Sequence, residues 1–173
     1  VRKLGVPGHT ELAMGAIASG GVRVLSDVVD ELGIPPDTVE DVARHEQTEL
    51  ARRERIYRGD SAAPSLAGRT VILVDDGLAS GFTMQVAIEA LRKSGASRVH
   101  VAVPTGHLEA VQRVAPLART LFCANIRGGA SFAVADASRS WRDVSPDQVR
   151  RLLIGAVPPA GRAAPGPARG AAP

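Results

Sequence analysis

Val71-Ile72-Leu73-Val74-Asp75-Asp76-Gly77-Leu78-Ala79-Ser80-Gly81-Phe82-Thr83 is the stretch that decides the reading of this chain. Its first four residues are an unbroken apolar run, and Arg69 to Val74 reads as a buried strand. Asp75 and Asp76 end that strand. From Phe82 onward, Met84, Ala87, Ile88 and Leu91 recur at helical spacing until Ser94-Gly95. In an open α/β sheet, ligands bind beyond the carboxyl ends of the strands, which is where the two acids are delivered. Adjacent carboxylates there can accept hydrogen bonds from a pair of sugar hydroxyls. They can also hold a hydrated Mg²⁺ that shares its shell with phosphate. The turn Ala79 to Thr83 leads into a helix N-terminus, whose N–H groups and dipole attract an anion. Ser80 and Thr83 add hydroxyls, and Gly81 lets backbone approach a phosphate closely. A diol clamp beside a phosphate cradle fits ribose 5-phosphate.

Working outward, Arg98 to Val103 reads as a second strand, His107 to Ala115 as a helix and Arg119 to Ala124 as a third strand. This alternation predicts right-handed βαβ units in an open, mostly parallel, doubly wound α/β sheet. Upstream, Val1 to Leu4 reads as the end of a strand. Leu12 to Ala18 and Val22 to Leu25 form a hairpin through Ser19-Gly20-Gly21. Ser26 is expected to cap a short helix through Leu32. Asp37-Thr38-Val39-Glu40 is expected to box the start of a helix that ends near Arg55. Gly59 to Gly68 reads as a loop. Ser145-Pro146-Asp147-Gln148 combines an N-cap, a proline at the first helical position and a capping-box Gln, opening a last helix through Ile154. Residues 1–156 are expected to form one domain, and the Pro/Ala/Gly-rich 157–173 a disordered tail.

The net charge of +3 sits largely in that tail, where Arg162 and Arg169 have no acid beside them. The body is nearly neutral and aromatics are only 3%, so neither a basic footprint for duplexes nor a stacking platform for single strands is present. Nucleic acid is therefore not an expected partner. No apolar run approaches the ~20 residues of a membrane span. No signal peptide is visible, and the single cysteine, Cys123, forms no internal disulfide, so the expected location is the cytoplasm. Cys123 reads as a small buried packing residue. His9 and His45 lack ligand-spaced partners for zinc.

The run from Val71 to Thr83 resembles the signature of type I phosphoribosyltransferases that binds 5-phosphoribosyl-1-pyrophosphate (PRPP): apolar strand, two acids, variable residues, then Thr/Ser-Gly-x-Thr. The resemblance implies that Asp75 and Asp76 bind the ribose hydroxyls and Mg²⁺, and that Ala79, Ser80, Gly81, Phe82 and Thr83 bind the 5′-phosphate. Ala79 stands where 6-oxopurine enzymes carry a base-contacting Asp, which argues against a hypoxanthine–guanine acceptor. More widely, Arg2 to Gly8, Glu11 to Gly21, Arg52 to Gly59 and Val134 to Leu153 resemble bacterial phosphoribosyltransferase-domain proteins of undefined acceptor. In that family a flexible loop closes over PRPP. Here the loop is expected around Arg52 to Gly59, with Arg52, Arg53 and Arg58 as candidate catalytic cations for the leaving pyrophosphate. A solvated helix face, with Glu46, Glu49 and Glu54 as partners, is the competing reading of the same arginines. The family also carries an earlier strand and a Pro-Arg-Gly-Gly-like pyrophosphate loop ahead of the position matching Val1, so the chain is expected to be truncated there. Trp141 in the hood over the acceptor either stacks on a base or simply packs. His107 either faces the acceptor or sits on the surface at a helix start.

The expected function is Mg²⁺-dependent transfer of phosphoribosyl from PRPP to a nitrogenous acceptor. The alternative is a non-catalytic PRPP or nucleotide sensor, or a degenerate domain, on the same fold. A homodimer is a further possibility, since a missing strand would leave a sheet edge open.

Overall fold

The computed structural model describes residues 1–59, 61, 63–129 and 132–156, so the expected tail at 157–173 lies outside the described residues. The chain divides into two units, Val1–Trp141 and Arg142–Pro173. In the first, β1 (Arg2–Val6) and β2 (His9–Ile17) pair antiparallel across the tight turn Pro7-Gly8, and β3 (Arg23–Leu25) pairs antiparallel with β2. The hairpin through Ser19–Gly21 is thus as the sequence predicts. Ser26 has a different role from the one expected: its hydroxyl donates to the Ala13 carbonyl at 2.8 Å, and α1 (Val28–Glu31) begins after Asp27.

Helix α2 (Pro36–Arg58) buries Val39, Ala43 and Leu50 against Leu4, Met14 and Ile17. The capping box expected at Asp37 is absent. The helix starts at Pro36, two residues earlier than an Asp37 cap would set it, and Glu40 is drawn away to accept from Arg23 Nη2 at 2.6 Å. At its other end the helix outruns the expected stop at Arg55. Arg55 and Arg58 both favour the negative end of the helix dipole, and the amide of Gly59 closes it on the Arg55 carbonyl.

The parallel sheet comprises β4 (Thr70–Val74), β5 (Arg98–His107) and β6 (Thr120–Arg127), in that spatial order. The crossovers are α3 (Phe82–Lys93) and α4 (Leu108–Val114). Both advance the sheet in one direction, and right-handed crossovers of that kind lay their helices on the same face. Met84 and Ile88 of α3 and Val111 and Val114 of α4 accordingly meet Val99, Val101 and Val103 of β5 in one core. Val86, on the other side of α3, packs against Ala16, Ala18 and Val22, so α3 lies between the two sheets. On the opposite face of the parallel sheet, Ile72, Val74 and Phe122 are 65%, 76% and 63% exposed. The α/β class and the open parallel sheet match the sequence reading, with helices on one face only among the described residues.

Strand β5 runs to His107 rather than ending near Val103. Thr105, Gly106 and His107 are held extended by Asn125, Ile126 and Arg127 on one side and by a bridge from Leu78 to Gly106 on the other. In the second unit, α5 (Pro146–Ala156) forms the predicted capping box: the Ser145 amide donates to Gln148 Oε1 at 2.8 Å, and the Gln148 amide to Ser145 Oγ at 3.3 Å. Among the described residues no helix is long and apolar enough to cross a membrane.

Candidate functional site

Strand β4 ends by presenting Asp75 and Asp76 at the carboxyl edge of the parallel sheet, and both side chains are exposed to solvent. Asp75 Oδ1 accepts the Asp76 amide at 3.0 Å. Partial desolvation, with the neighbouring Asp76 charge, pushes the Asp75 carboxyl above the usual carboxylate range. The side chain still reaches water, so the burial is that of a group at the rim of a site. Two like charges held this close at a strand end are a donor set suited to a hard divalent cation.

The following loop is stitched to β5. The Leu78 amide donates to the Thr105 carbonyl at 3.0 Å, and the Leu78 carbonyl accepts from the His107 amide at 2.8 Å. Leu78 itself is buried in the core. Gly77 has no room for a side chain: a Cβ would lie 2.7 Å from Val134 and 3.0 Å from Thr105 Cγ2. Thr105 is buried, and its Oγ1 has no hydrogen-bond partner among the described residues.

Beyond Leu78 the chain turns through Ala79 and Ser80 to Gly81, whose φ of 83° admits little but glycine at the N-cap of α3. No acceptor among the described residues takes the amides of Ala79, Ser80, Gly81, Phe82 or Thr83, and the Ser80 and Thr83 hydroxyls make no hydrogen bond there. Ala79 and Ser80 are exposed. A string of N–H groups at a helix start, without acceptors among the described residues, has the donor chemistry that suits an anion. The sequence puts Asp75, Asp76 and Ala79 to Thr83 in one continuous segment, and the fold sets the carboxylates and the free amides on the same sheet edge. Support from α4 was not legible: Gly81 lies against Ala110 and Val114, and Arg113 Nη1 donates to the Ser80 carbonyl at 2.6 Å.

The arginines tell a different story. Arg52, Arg53 and Arg58 are not on a flexible loop, because α2 continues to Arg58. Arg52 binds both oxygens of Glu49, at 2.7 and 2.8 Å, and Arg53 Nε binds Oε1 at 2.9 Å. These i,i+3 and i,i+4 pairs hold the segment helical. The Arg52 guanidinium, followed by that of Arg53, pulls the Glu49 carboxyl down to about 2. Arg58 instead lines a cleft of about 680 Å³ together with Ser19, Glu54, Leu66, Leu73 and Leu91. Leu73 lies two residues before Asp75, so that cleft approaches the strand end from the helix side.

His107 Nε2 lies 2.9 Å from the Gly129 carbonyl, which requires the proton on that nitrogen, and its ring tilts against Phe132 at 5.7 Å. Trp141 is exposed. Cys123 is half-buried, with Sγ 3.4 Å from the Asn125 carbonyl. No cluster of three or more His, Cys, Asp or Glu suited to a metal occurs among the described residues.

Comparison with known proteins bears on this geometry. The family model described as "Phosphoribosyl transferase domain" matches residues 8–138. Two curated proteins of Mycobacterium tuberculosis are each 42% identical over 155 residues: "Putative phosphoribosyl transferase MT0597" of strain CDC 1551 / Oshkosh and "Putative phosphoribosyl transferase Rv0571c" of strain ATCC 25618 / H37Rv. The match takes in 88% of this chain and 34% of each relative, so the chain spans about a third of their length. The crystal structure of TT1426 from Thermus thermophilus matches with a TM-score of 0.68 and 31% identity, over 89% of this chain and 73% of that one.

Proposed function

Because the chain belongs to the phosphoribosyl transferase domain family, we propose that its Asp75–Thr83 segment binds PRPP and that the protein transfers the phosphoribosyl group to a nitrogenous acceptor. In this reaction the C1′–O bond to pyrophosphate breaks, with its electron pair leaving on the pyrophosphate. A C1′–N bond forms, and the acceptor nitrogen gives up a proton. The observation that carries the reading is the exposed carboxylate pair beside five amides that find no acceptor among the described residues, which matches a sugar diol joined to a phosphate.

Asp75 and Asp76 accept hydrogen bonds from the ribose hydroxyls and hold the sugar over the carboxyl edge of β4. The amides of Ala79 to Thr83, with the Ser80 and Thr83 hydroxyls, take the 5′-phosphate. The same two carboxylates are the residues suited to hold Mg²⁺, which when bound neutralises charge on the departing pyrophosphate. Of the three arginines, Arg58 is our candidate for the leaving group, since Glu49 already engages Arg52 and Arg53. Ala79 offers no proton to an acceptor base, which favours acceptors other than 6-oxopurines.

Pyrophosphate release, measured with PRPP, Mg²⁺ and a panel of nitrogenous bases, tests the transfer. Release with at least one base supports it. PRPP binding with no release from any base would leave a binding domain without transferase activity.

A further inference from the structure

Arg113 belongs to none of the segments that carry the sequence signature, yet it holds the phosphate turn from two directions. Its Nη1 donates to the Ser80 carbonyl at 2.6 Å, and its guanidinium carbon lies 4.4 Å from the centroid of the Phe82 ring. One planar group therefore grips residues on both sides of Gly81. Ala110 and Val114 lie on the same face of α4, at i−3 and i+1 from Arg113, and they back Gly81. A Cβ at Gly81 would come within 3.1 Å of Val114 and 3.3 Å of the Ala110 carbonyl. The turn is fixed from below by packing and at its flank by a cation.

We propose that Arg113 is a positioning residue for phosphate binding, acting through the Ser80–Gly81 peptide. The inference rests on the reading of this turn as the phosphoribosyl site. The carbonyl of Ser80 and the N–H of Gly81 belong to one peptide group. A cationic donor on the oxygen draws electron density along the amide and strengthens the N–H as a donor to a phosphate. The same contact fixes the orientation of that N–H before the ligand arrives, so less ordering remains to be done on binding. The positive charge also favours an anion seated across the turn. An arginine suits the task better than a lysine. Its planar fork donates in-plane to the carbonyl while its face stays on the Phe82 ring, and an ammonium does not do both.

The test compares the wild-type chain with Arg113→Met, Arg113→Lys and Phe82→Leu. Each is titrated calorimetrically with ribose 5-phosphate at two ionic strengths, and the thermal midpoint of each is recorded. A lost hydrogen bond from a charged donor predicts binding weakened by about tenfold or more in Arg113→Met, with a shallower salt dependence. Arg113→Lys recovers part of the affinity, and Phe82→Leu falls between wild type and Arg113→Met. The midpoints of the two Arg113 variants stay close to wild type, because the Arg113 side chain lies on the surface, whereas Phe82→Leu gives up some stability, because Phe82 packs against Ala16, Ala18, Val22 and Val86. Wild-type affinity in Arg113→Met overturns the inference while leaving the phosphoribosyl site standing. So does a loss that tracks a fallen midpoint and is not relieved by lysine. If Arg113→Met does not fold, wild-type affinity in both Arg113→Lys and Phe82→Leu overturns it equally. No binding by the wild type removes the phosphoribosyl reading itself, and the inference falls with it.

Discussion

The Leu78 amide donates to the carbonyl of Thr105 across 3.0 Å, so the loop that follows the acidic pair is tied to the neighbouring strand before it reaches the turn at Ala79 to Gly81. Gly77 makes that approach feasible, since a Cβ there would meet Val134 at 2.7 Å and Thr105 at 3.0 Å. Gly77→Ala should therefore push the loop off β5, at a cost of about 1–3 kcal/mol of stability, and weaken PRPP binding. Val134→Ala clears the nearest atoms, so the double variant should regain part of both. A double-mutant cycle by denaturant unfolding measures the coupling. Strict additivity would show that the two residues do not meet as described.

The Asp75 carboxylate is held at some cost to the stability of the protein. Partial burial, and then the Asp76 charge, raise its folded-state pKa above the unfolded value. A raised carboxyl pKa gives stability that is present below the unfolded pKa and lost as pH rises through the folded one. At neutral pH the carboxylate is thus a modest burden, reduced by its contact with solvent. Asp75→Asn should raise the thermal midpoint of the ligand-free protein at pH 7, and the gain should shrink as pH falls toward the carboxylate range. PRPP binding should be lost in the same variant. A lower midpoint at pH 7 would contradict this account of Asp75.

Arg52 and Arg53 are predicted to brace α2 and not to touch ligand. The Glu49 carboxyl, held at about 2 by the Arg52 and Arg53 hydrogen bonds, should be the last glutamate to titrate in an NMR pH series. Its lowered pKa contributes helix stability that is present above the unfolded value and lost as pH falls toward 2. In the Arg52→Ala, Arg53→Ala double variant the Glu49 midpoint should return toward the ordinary range. PRPP affinity should change by less than about threefold, the scale expected for exposed pairs. A large loss of affinity would restore these arginines to the site.

The uncovered face of the parallel sheet makes a contrasting prediction. Ile88 is fully buried between α3 and β5, and Ile88→Ala should cost about 2–5 kcal/mol. Phe122 is 63% exposed, and Phe122→Ser should cost less than about 1 kcal/mol while raising solubility. If Phe122→Ser destabilises as much as Ile88→Ala does, that face is covered in solution.

The elements legible in the sequence were those written in local chemistry. The apolar run before Asp75, the Gly81 turn, the helix period of Met84 and Ile88, and the Ser145–Gln148 box each depend on neighbours within a few residues, and each formed where expected. The misreadings came where distant partners intervened. Glu40 left its expected cap for Arg23, and Ser26 for Ala13. Arg52 and Arg53 are open to two readings in the sequence, a closing loop and a solvated helix face, because charge alone does not distinguish them. The pairing with Glu49 decides it. Thr105 and Arg113 carry no motif, and Val134 only opens a stretch of wider resemblance. They enter the site only because β5, α4 and the segment after β6 converge on the loop after β4.

A calorimetric titration of the chain with PRPP and Mg²⁺, run beside Asp76→Asn, is the most direct test of the central claim that a carboxylate pair and an amide-lined turn jointly hold a phosphorylated sugar. The account predicts saturable binding by the wild type and a loss of about tenfold or more in the variant. Equal affinity in the two proteins, or no heat from the wild type at any Mg²⁺ concentration, would contradict it.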